Sequence, residues 1–181
     1  MKNNSSHAIL KVLDKALMDD SVRRSIDAIS RRVEQSLCAA SEDLLAWAPV
    51  PLNLYVEKLP EAIRSSWVFV IRADSDTGAE RHSNSHQFMM SYKGQGDLQV
   101  KKGDRWLSKN LVSDFDKKLG ERWVSIPPGT WHRVFTGEAN WTVVSFHTVP
   151  ADELIEERPD VSDTDRILQR YYLGQNKKNT K

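Results

Sequence analysis

The chain has 181 residues, of which 39% are hydrophobic and 28% are charged, so we expect one ordinary globular domain with appendages that buries its own core. A formal net charge of +1 excludes the broad basic surface by which many proteins bind nucleic acid or anionic membranes. The single cysteine, Cys38, cannot form an internal disulfide, no apolar stretch reaches the roughly 18 to 20 residues that cross a bilayer, and no N-terminal apolar run resembles a signal peptide. We therefore predict a cytoplasmic protein that binds neither nucleic acid nor membrane.

Residues 1–48 are predicted to form a helical extension. Between His7 and about Trp47 the apolar residues recur at helical spacing, and an interruption near residues 19–21 divides them into two amphipathic helices. Ser21 is the expected N-cap of the second helix. That helix carries an apolar stripe made of Val22, Ile26, Ile29, Val33 and Leu37. The stripe is predicted to pack either on the rest of the chain or on a second copy in a homodimer.

Residues 49–150 have the short β-rich runs and turn residues of an antiparallel sandwich or barrel. Pro49 and Pro51 end the helical pattern. The predicted strands are residues 67–71, 87–93, 98–100, 123–126, 132–135 and 141–148. Three glycine-containing connections are predicted hairpins, at 94–96, 102–104 and 137–140.

Residues 151–181 are predicted to form a C-terminal helical segment with a polar tail. The expected helices cover 151–157 and 163–173, and Gly174 is the residue that would end the second one.

Four of the five histidines lie between residues 82 and 147, which predicts a metal site. Imidazole is the commonest protein ligand for zinc, iron, nickel and copper, and a site needs about three or four donors that converge from separate parts of the chain. Residues two apart on a strand face the same side, so Glu80 and His82 can both enter one barrel interior, and the parity of the next strand puts Gln87 inside. The turn at residues 127–129 lets His132 enter from across the barrel.

Other side chains near these segments offer alternatives. His82, His86 and His132 would form a three-histidine site, although the spacing of the first two brings their rings together only on a helix. His86 and His147 are candidates for proton transfer, since imidazole titrates near neutral pH. Three arginines could clamp a substrate carboxylate: Arg72, Arg81 and Arg133.

The segments that contain these histidines resemble the two signature motifs of the cupin superfamily, whose members are small jelly-roll β-barrels. Residues 80–94 resemble the first motif, HXH followed by Glu and then Gly, with Glu80 at the first histidine position and Gln87 at the glutamate position. Residues 127–132 match the PXGXXH part of the second motif in full, while Thr136 replaces its closing Asn. The resemblance covers residues 52–150 and implies a mainly β protein, a cupin-type jelly-roll barrel with N-terminal and C-terminal helices.

The resemblance also implies a metal-dependent enzyme that acts on a small organic molecule. The ligand set Glu80, His82, Gln87 and His132 suits a divalent metal, with iron favoured and manganese, nickel or zinc as alternatives. Among the reactions found on this scaffold we favour a dioxygenase over a lyase or an isomerase. The alternative function is a non-catalytic small-molecule binding or sensor barrel, with or without a metal. Many members of the superfamily dimerise, so a homodimer is a further expectation.

Overall fold

The computed structural model describes residues 2–56, 58–162 and 166–173. Two helices come first, α1 at Lys2–Met18 and α2 at Asp20–Ala39, which confirms the predicted break between two N-terminal helices. The N-cap of α2 is Asp19 and not Ser21: the Asp19 carboxylate accepts hydrogen bonds from the backbone N–H groups of Ser21 and Val22. Asp19, whose backbone is extended, accepts hydrogen bonds from the free N–H groups at the helix start. Ser21 therefore lies inside the first turn.

Within the described residues, ten strands, a short 3₁₀ helix at Leu52–Leu54 and one further α-helix follow. The strands are β1 at Leu45–Pro49, β2 at Ser65–Ile71, β3 at Gln87–Lys93, β4 at Gln95–Lys102, β5 at Arg105–Val112, β6 at Trp123–Ile126, β7 at His132–Thr136, β8 at Trp141–His147, β9 at Ile155–Pro159 and β10 at Ile167–Tyr171. Helix α3, at Leu119–Arg122, precedes β6. All six predicted strands exist in the structure.

Two antiparallel sheets form the barrel. The larger sheet has the strand order β1-β2-β8-β3-β6 and the smaller one β5-β4-β7. One core cluster joins the inner faces of both sheets and contains Ile71, Met89, Leu98, Val134, Trp141 and Val143. Because strand residues alternate between faces, β3 turns Gln87 and Met89 inward and Phe88 and Met90 outward. The described chain is therefore mainly β, in a jelly-roll arrangement, as predicted.

The helices cover the outer face of the larger sheet. The α2 stripe predicted from the sequence is buried, and it packs in one cluster with Val68 and Val70 of β2. The stripe is therefore occupied by the chain's own sheet, and the alternative that it joins two copies is not needed to bury it. Arg122 of α3 binds both carboxylate oxygens of Asp14 in α1, at 2.7 and 2.8 Å, and Trp123 donates its indole N–H to the same carboxylate.

Two local predictions in residues 1–150 were wrong. Residues 45–49 form β1, paired along its length with β2, whereas the helical pattern was expected to reach about Trp47. A segment of five residues is too short for its periodicity to distinguish a helix from a strand, so pairing with β2 determines its structure. The predicted connections 94–96 and 137–140 are not hairpins, since the strands they join lie in different sheets; only 102–104 closes a hairpin, between β4 and β5.

The prediction of C-terminal helices was also wrong. Residues 151–153 form a turn, and β9 and β10 pair with each other as an antiparallel two-stranded sheet. A backbone bridge between Arg81 and Glu157 ties this hairpin to the barrel, and such long-range pairing outweighs local helix propensity. Residues 163–165, Gly174 and the tail lie outside the described residues. None of the described helices combines the length and hydrophobicity that a bilayer crossing requires.

Candidate metal centre

The chain brings Glu80 and His132 together through their backbones. The N–H of each residue donates to the carbonyl of the other at 2.8 Å, an isolated antiparallel bridge between the segment before β3 and the first residue of β7. The two side chains therefore leave the backbone side by side. His82 lies two residues after Glu80 on the same face, and one ligand atom from each of the three residues lies within 4.8 Å of the others.

The second motif is attached directly to the first. In the turn before β7, Gly129 has a φ of 72°, a left-handed conformation that favours glycine, and its N–H donates to the carbonyl of His82 at 2.8 Å. This bond sets the backbone of the PXGXXH segment against the backbone of the first motif. The two motif segments thus meet at one place in the barrel, as the resemblance to the cupin motifs implies.

Both His82 and His132 have the orientation that a metal ligand needs. The Nδ1 atom of His82 lies 2.9 Å from the carbonyl oxygen of Ile155, and Nδ1 of His132 lies 3.1 Å from that of Thr130. A carbonyl oxygen can only accept, so each Nδ1 carries the proton and donates it. The Nε2 atom of a neutral ring is then left with a free lone pair, as in the usual pairing of a metal-bound imidazole with a backbone acceptor.

A short hydrogen-bonded chain fixes Gln87. Its side-chain Nε2 donates to the hydroxyl of Ser145 at 3.0 Å, and the Ser145 hydroxyl lies 3.0 Å from Nε2 of His147. Because the serine hydroxyl already accepts from the amide, its own proton goes to His147. His147 then carries its proton on Nδ1 and donates to Ser85 at 3.3 Å. A glutamate at residue 87 could not donate to Ser145 while ionised, so glutamine suits this chain.

Two of the predicted ligands carry a buried acceptor atom that lacks a hydrogen bond. Nε2 of His132 and Oε1 of Gln87 are buried and have no hydrogen-bond partner among the described residues. Oε1 of Glu80 lies 3.5 Å from Nε2 of His132. Two acceptor atoms that face each other in this way need a proton or a cation between them, and leaving buried acceptors unpaired costs roughly 1–3 kcal/mol each. The residues present therefore fit a cation.

Glu80 supplies the negative charge of the group. Burial raises the pKa of its carboxyl, but the imidazole of His132 beside it and the guanidinium of Arg158 outweigh burial and lower that pKa well below its usual range. Arg158 donates from Nη2 to Oε2, so the other oxygen is the one that faces His132. Glu80 is a carboxylate at neutral pH, which is the form that ligates a metal.

Burial favours the neutral form of His82 and His147. Burial lowers the pKa of His82, although the carboxylate of Glu80 opposes this effect. His147 is 1% exposed and packs edge-on against His82 with ring centroids 5.0 Å apart, and burial lowers the pKa of His147 far below 6.5. Neutral imidazole is the form in which histidine binds a metal, so little deprotonation is needed at these rings.

His86 lies apart from this group. Its Nε2 is 2.7 Å from the hydroxyl of Ser125, and its ring stacks on Phe88 at 4.5 Å. His86 is not among the residues that line the cavity around Glu80 and His132, which we call the metal cavity. The structure therefore does not bring together the alternative set of His82, His86 and His132. Of the two candidates for proton transfer, His147 lines the cavity and His86 is not part of its lining.

The three arginines suggested by the sequence have structural partners instead. Arg72 donates to the carbonyls of Leu37, Ala40 and Asp43, Arg81 pairs with Glu157 at 2.6 Å, and Arg133 binds the side chain of Gln99. The arginine that reaches the site is Arg158 in β9, which the sequence analysis assigned to the C-terminal helical segment. Residues 167–172 do not alternate between polar and apolar side chains, so no period-two pattern marked this hairpin in the sequence.

The cavity that contains the group is small and largely apolar. Its volume is about 30 Å³, and its walls include Phe69, Met89, Leu98 and Val134 from the two sheets. Leu154 and Tyr172, which flank the C-terminal hairpin, complete the lining. A space of this size accommodates about one water-sized molecule.

No family model matches the chain, and no curated protein matches it. Solved structures do: oxalate oxidase in complex with the substrate analogue glycolate has a TM-score of 0.46 and 13% identity, covering 60% of this chain and 52% of that one. The Lactobacillus farciminis oxalate decarboxylase formate complex has a TM-score of 0.46 and 12% identity, covering 60% and 30%. The capsular polysaccharide assembling protein CapF from Staphylococcus aureus has a TM-score of 0.46 and 15% identity, covering 72% and 32%. The chain thus spans about half of these structures or less, and the similarity concerns the fold alone.

Proposed function

We propose that this cupin barrel is a metal-dependent enzyme that acts on a small organic molecule. Glu80, His82, Gln87 and His132 would hold one divalent ion, with iron favoured and manganese, nickel or zinc as alternatives. The observation that carries the proposal is the pair of buried, unpartnered acceptors on Gln87 and His132 beside a carboxylate. When bound, a divalent ion supplies Lewis-acid chemistry, and iron adds redox chemistry.

The chain's own residues set the charge of the site. Glu80 is the one anionic member of the ligand set, because Gln87 and the two histidines are neutral ligands. A divalent ion therefore keeps a net positive charge there, which favours an anionic or strongly polarised substrate. Arg158 keeps Glu80 in place by binding the oxygen that faces away from His132.

His147 is the candidate for proton transfer within the cavity. Its Nε2 accepts a hydrogen bond from the Ser145 hydroxyl, and its Nδ1 donates to Ser85. Both ring nitrogens are thus engaged, so a proton taken up at Nε2 would come through Ser145. Burial disfavours the imidazolium form, which suits a group that passes a proton on rather than storing it.

Within this proposal we favour dioxygenase chemistry. The 30 Å³ cavity has apolar walls and room for about one diatomic or water-sized molecule beside the ligand set. The apolar walls also limit the water that could compete for the open positions. The organic substrate would have to reach the site from a neighbouring space, which supports a reaction in which only one end of it enters the cavity.

The second candidate is a binding or sensor barrel that works without a metal. The observation in its favour is the Arg158 guanidinium on Glu80, since a cation supplied by the chain already neutralises the carboxylate. The enzyme needs a bound metal ion, whereas the binding or sensor barrel needs only its ligand. A direct measurement of metal content separates the two candidates.

The test is metal content by mass spectrometry on untagged protein, followed by titration of the metal-free protein with Fe²⁺, Mn²⁺, Ni²⁺ and Zn²⁺. We expect near-stoichiometric uptake of at least one ion, lowered about 100-fold or more in affinity by His132→Ala and by Glu80→Ala. His86→Ala is the matched control, because it removes a histidine outside the cavity. Protein that takes up none of the four ions would move the function to the metal-free candidate.

A further inference from the structure

A second, larger cavity adjoins the metal cavity. Its volume is about 360 Å³, which is within the range of small-molecule sites. The two cavities share three lining residues, Leu45, Thr77 and Tyr172, so they meet at a common wall. We call the larger one the vestibule. It supplies the room for an organic substrate that the metal cavity lacks.

Two arginines of the C-terminal hairpin line the vestibule. Arg158 and Arg170 both bind one oxygen of the buried Glu156, through Nε at 2.8 Å in each case. Arg158 also donates to the carbonyl of Thr77 and to Glu80, and Arg170 adds a second contact to Glu156 from Nη2 at 2.7 Å. A guanidinium has five N–H donors, so these contacts leave donors on both arginines for a ligand.

The charges around the vestibule favour an anion once a metal is present. The carboxylates nearby are Glu80, Glu156 and the exposed Asp43 of the vestibule wall. Two arginines and a divalent ion together outweigh these three. A guanidinium fork also matches the two oxygens of a carboxylate, whereas a hydroxyl or amide ligand would gain little from it.

Aromatic side chains form another part of the wall. The rings of Trp47 and Tyr172 lie 5.1 Å apart at an interplanar angle of 55°. Both residues are half-buried and line the vestibule. They offer apolar surface for the carbon skeleton of a ligand whose charged end lies at the arginines.

We propose that the vestibule is the substrate subsite and that the substrate is a small organic carboxylate bound by Arg170 and Arg158. This inference rests on the proposed function, because the metal supplies part of the positive charge and Glu80 is shared between the ion and Arg158. Arg170 is the specificity-determining residue of the pair, since it touches no member of the metal ligand set.

The test uses full-length protein loaded with Zn²⁺ and three matched probes: benzoate, its neutral analogue benzamide, and phenylphosphonate. We expect calorimetry to show benzoate binding at least about tenfold more tightly than benzamide, and Arg170→Met to remove that preference while Zn²⁺ content is unchanged. Arg170→Lys should keep part of it. Arg166→Met, on the same hairpin but outside the vestibule, should behave like the unmodified protein.

An independent variant works in the opposite direction. Asp43→Asn removes a carboxylate from the vestibule wall at an exposed position, so folding is not at risk, and it should tighten benzoate binding severalfold. Equal binding of benzoate and benzamide, an unchanged preference in Arg170→Met, or tighter binding of phenylphosphonate would each overturn the inference. Failure of the proposed function is distinct: the protein then takes up none of Fe²⁺, Mn²⁺, Ni²⁺ and Zn²⁺, and both proposals fall.

Discussion

Glu80 and His132 are joined by reciprocal backbone hydrogen bonds of 2.8 Å, and their side-chain acceptors Oε1 and Nε2 face each other at 3.5 Å. The backbone pair fixes the side-chain pair, because an antiparallel bridge places its two Cβ atoms next to each other. Rigid placement of this kind is what a metal site needs from its protein. Metal affinity should therefore also depend on residues that hold the ligands in place through hydrogen bonds.

Ser145→Ala removes the hydroxyl that fixes Gln87 and His147. We expect metal affinity to fall about 10- to 100-fold, the usual effect of losing a partner of a ligand, with the fold intact. Competition titration against a chelator measures this. Ser125→Ala is the matched control, because that serine binds His86 outside the cavity and should leave the affinity unchanged.

Buried neutral histidine makes stability depend on pH. The pKa of His147 in the folded protein lies well below 6.5, so the unfolded chain binds more protons below that value and the free energy of unfolding falls as pH falls. In the metal-free protein below pH 6.5, we expect His147→Gln to reduce the slope of the free energy of unfolding against pH by up to about 1.4 kcal/mol per pH unit. Glu80, whose pKa is lowered from 4.5, contributes only at lower pH.

Urea unfolding of both proteins at pH 7, 6 and 5 measures that slope. Parallel dependence on pH in the two proteins would contradict a neutral buried His147. The comparison at pH 7 alone gives the cost of replacing the imidazole, so the pH-dependent part can be separated from it.

The attachment of the N-terminal helix depends on Asp14. Its carboxylate pairs with Arg122, whose side chain is 5% exposed, and accepts the indole N–H of Trp123. Asp14→Ala leaves a buried guanidinium unpaired, so we expect a loss of about 3–5 kcal/mol in the free energy of unfolding. Asp116→Ala, at an exposed position, should change it by less than about 0.5 kcal/mol. Equal effects in urea unfolding would show that the pair does not hold α1.

Gly96 is required by the packing of the barrel. A Cβ atom built there would lie 2.2 Å from the ring of Trp141, which is fully buried, so Gly96→Ala must displace the indole and should cost about 1–3 kcal/mol or more. Nothing lies within 4 Å of the corresponding position at Gly120, and Gly120→Ala should be close to neutral. Thermal unfolding of the two variants tests the difference.

The barrel and the candidate site follow from residue alternation in the sequence. The parity that turns Gln87 and Met89 inward is the same in the structure, and the PXGXXH segment delivers His132 to Glu80. Period-two patterns and a glycine at positive φ are local signals, so they can be read from one chain. The ligand assignment itself stays a prediction that metal binding must test.

The C-terminal hairpin could not be predicted in the same way. Residues such as Glu156 and Arg158 are compatible with a helix, and only pairing between β9 and β10, together with ion pairs to distant residues, makes them a strand. Edge strand β5 was missed for a related reason, because only half of its residues are apolar and only one, Leu111, is fully buried. The arginines proposed from the sequence are those close to the motifs along the chain. Arg158, which binds Glu80, is 78 residues away from it in the sequence.

X-ray absorption spectroscopy of the metal-loaded protein tests the ligand set most directly. We expect a first shell of nitrogen and oxygen only, with the outer-shell scattering of two imidazoles, reduced to one imidazole in His132→Ala and unchanged in His86→Ala. A shell without imidazole scattering, a loss of imidazole in His86→Ala, or protein that takes up no divalent ion would contradict a metal centre built by Glu80, His82, Gln87 and His132.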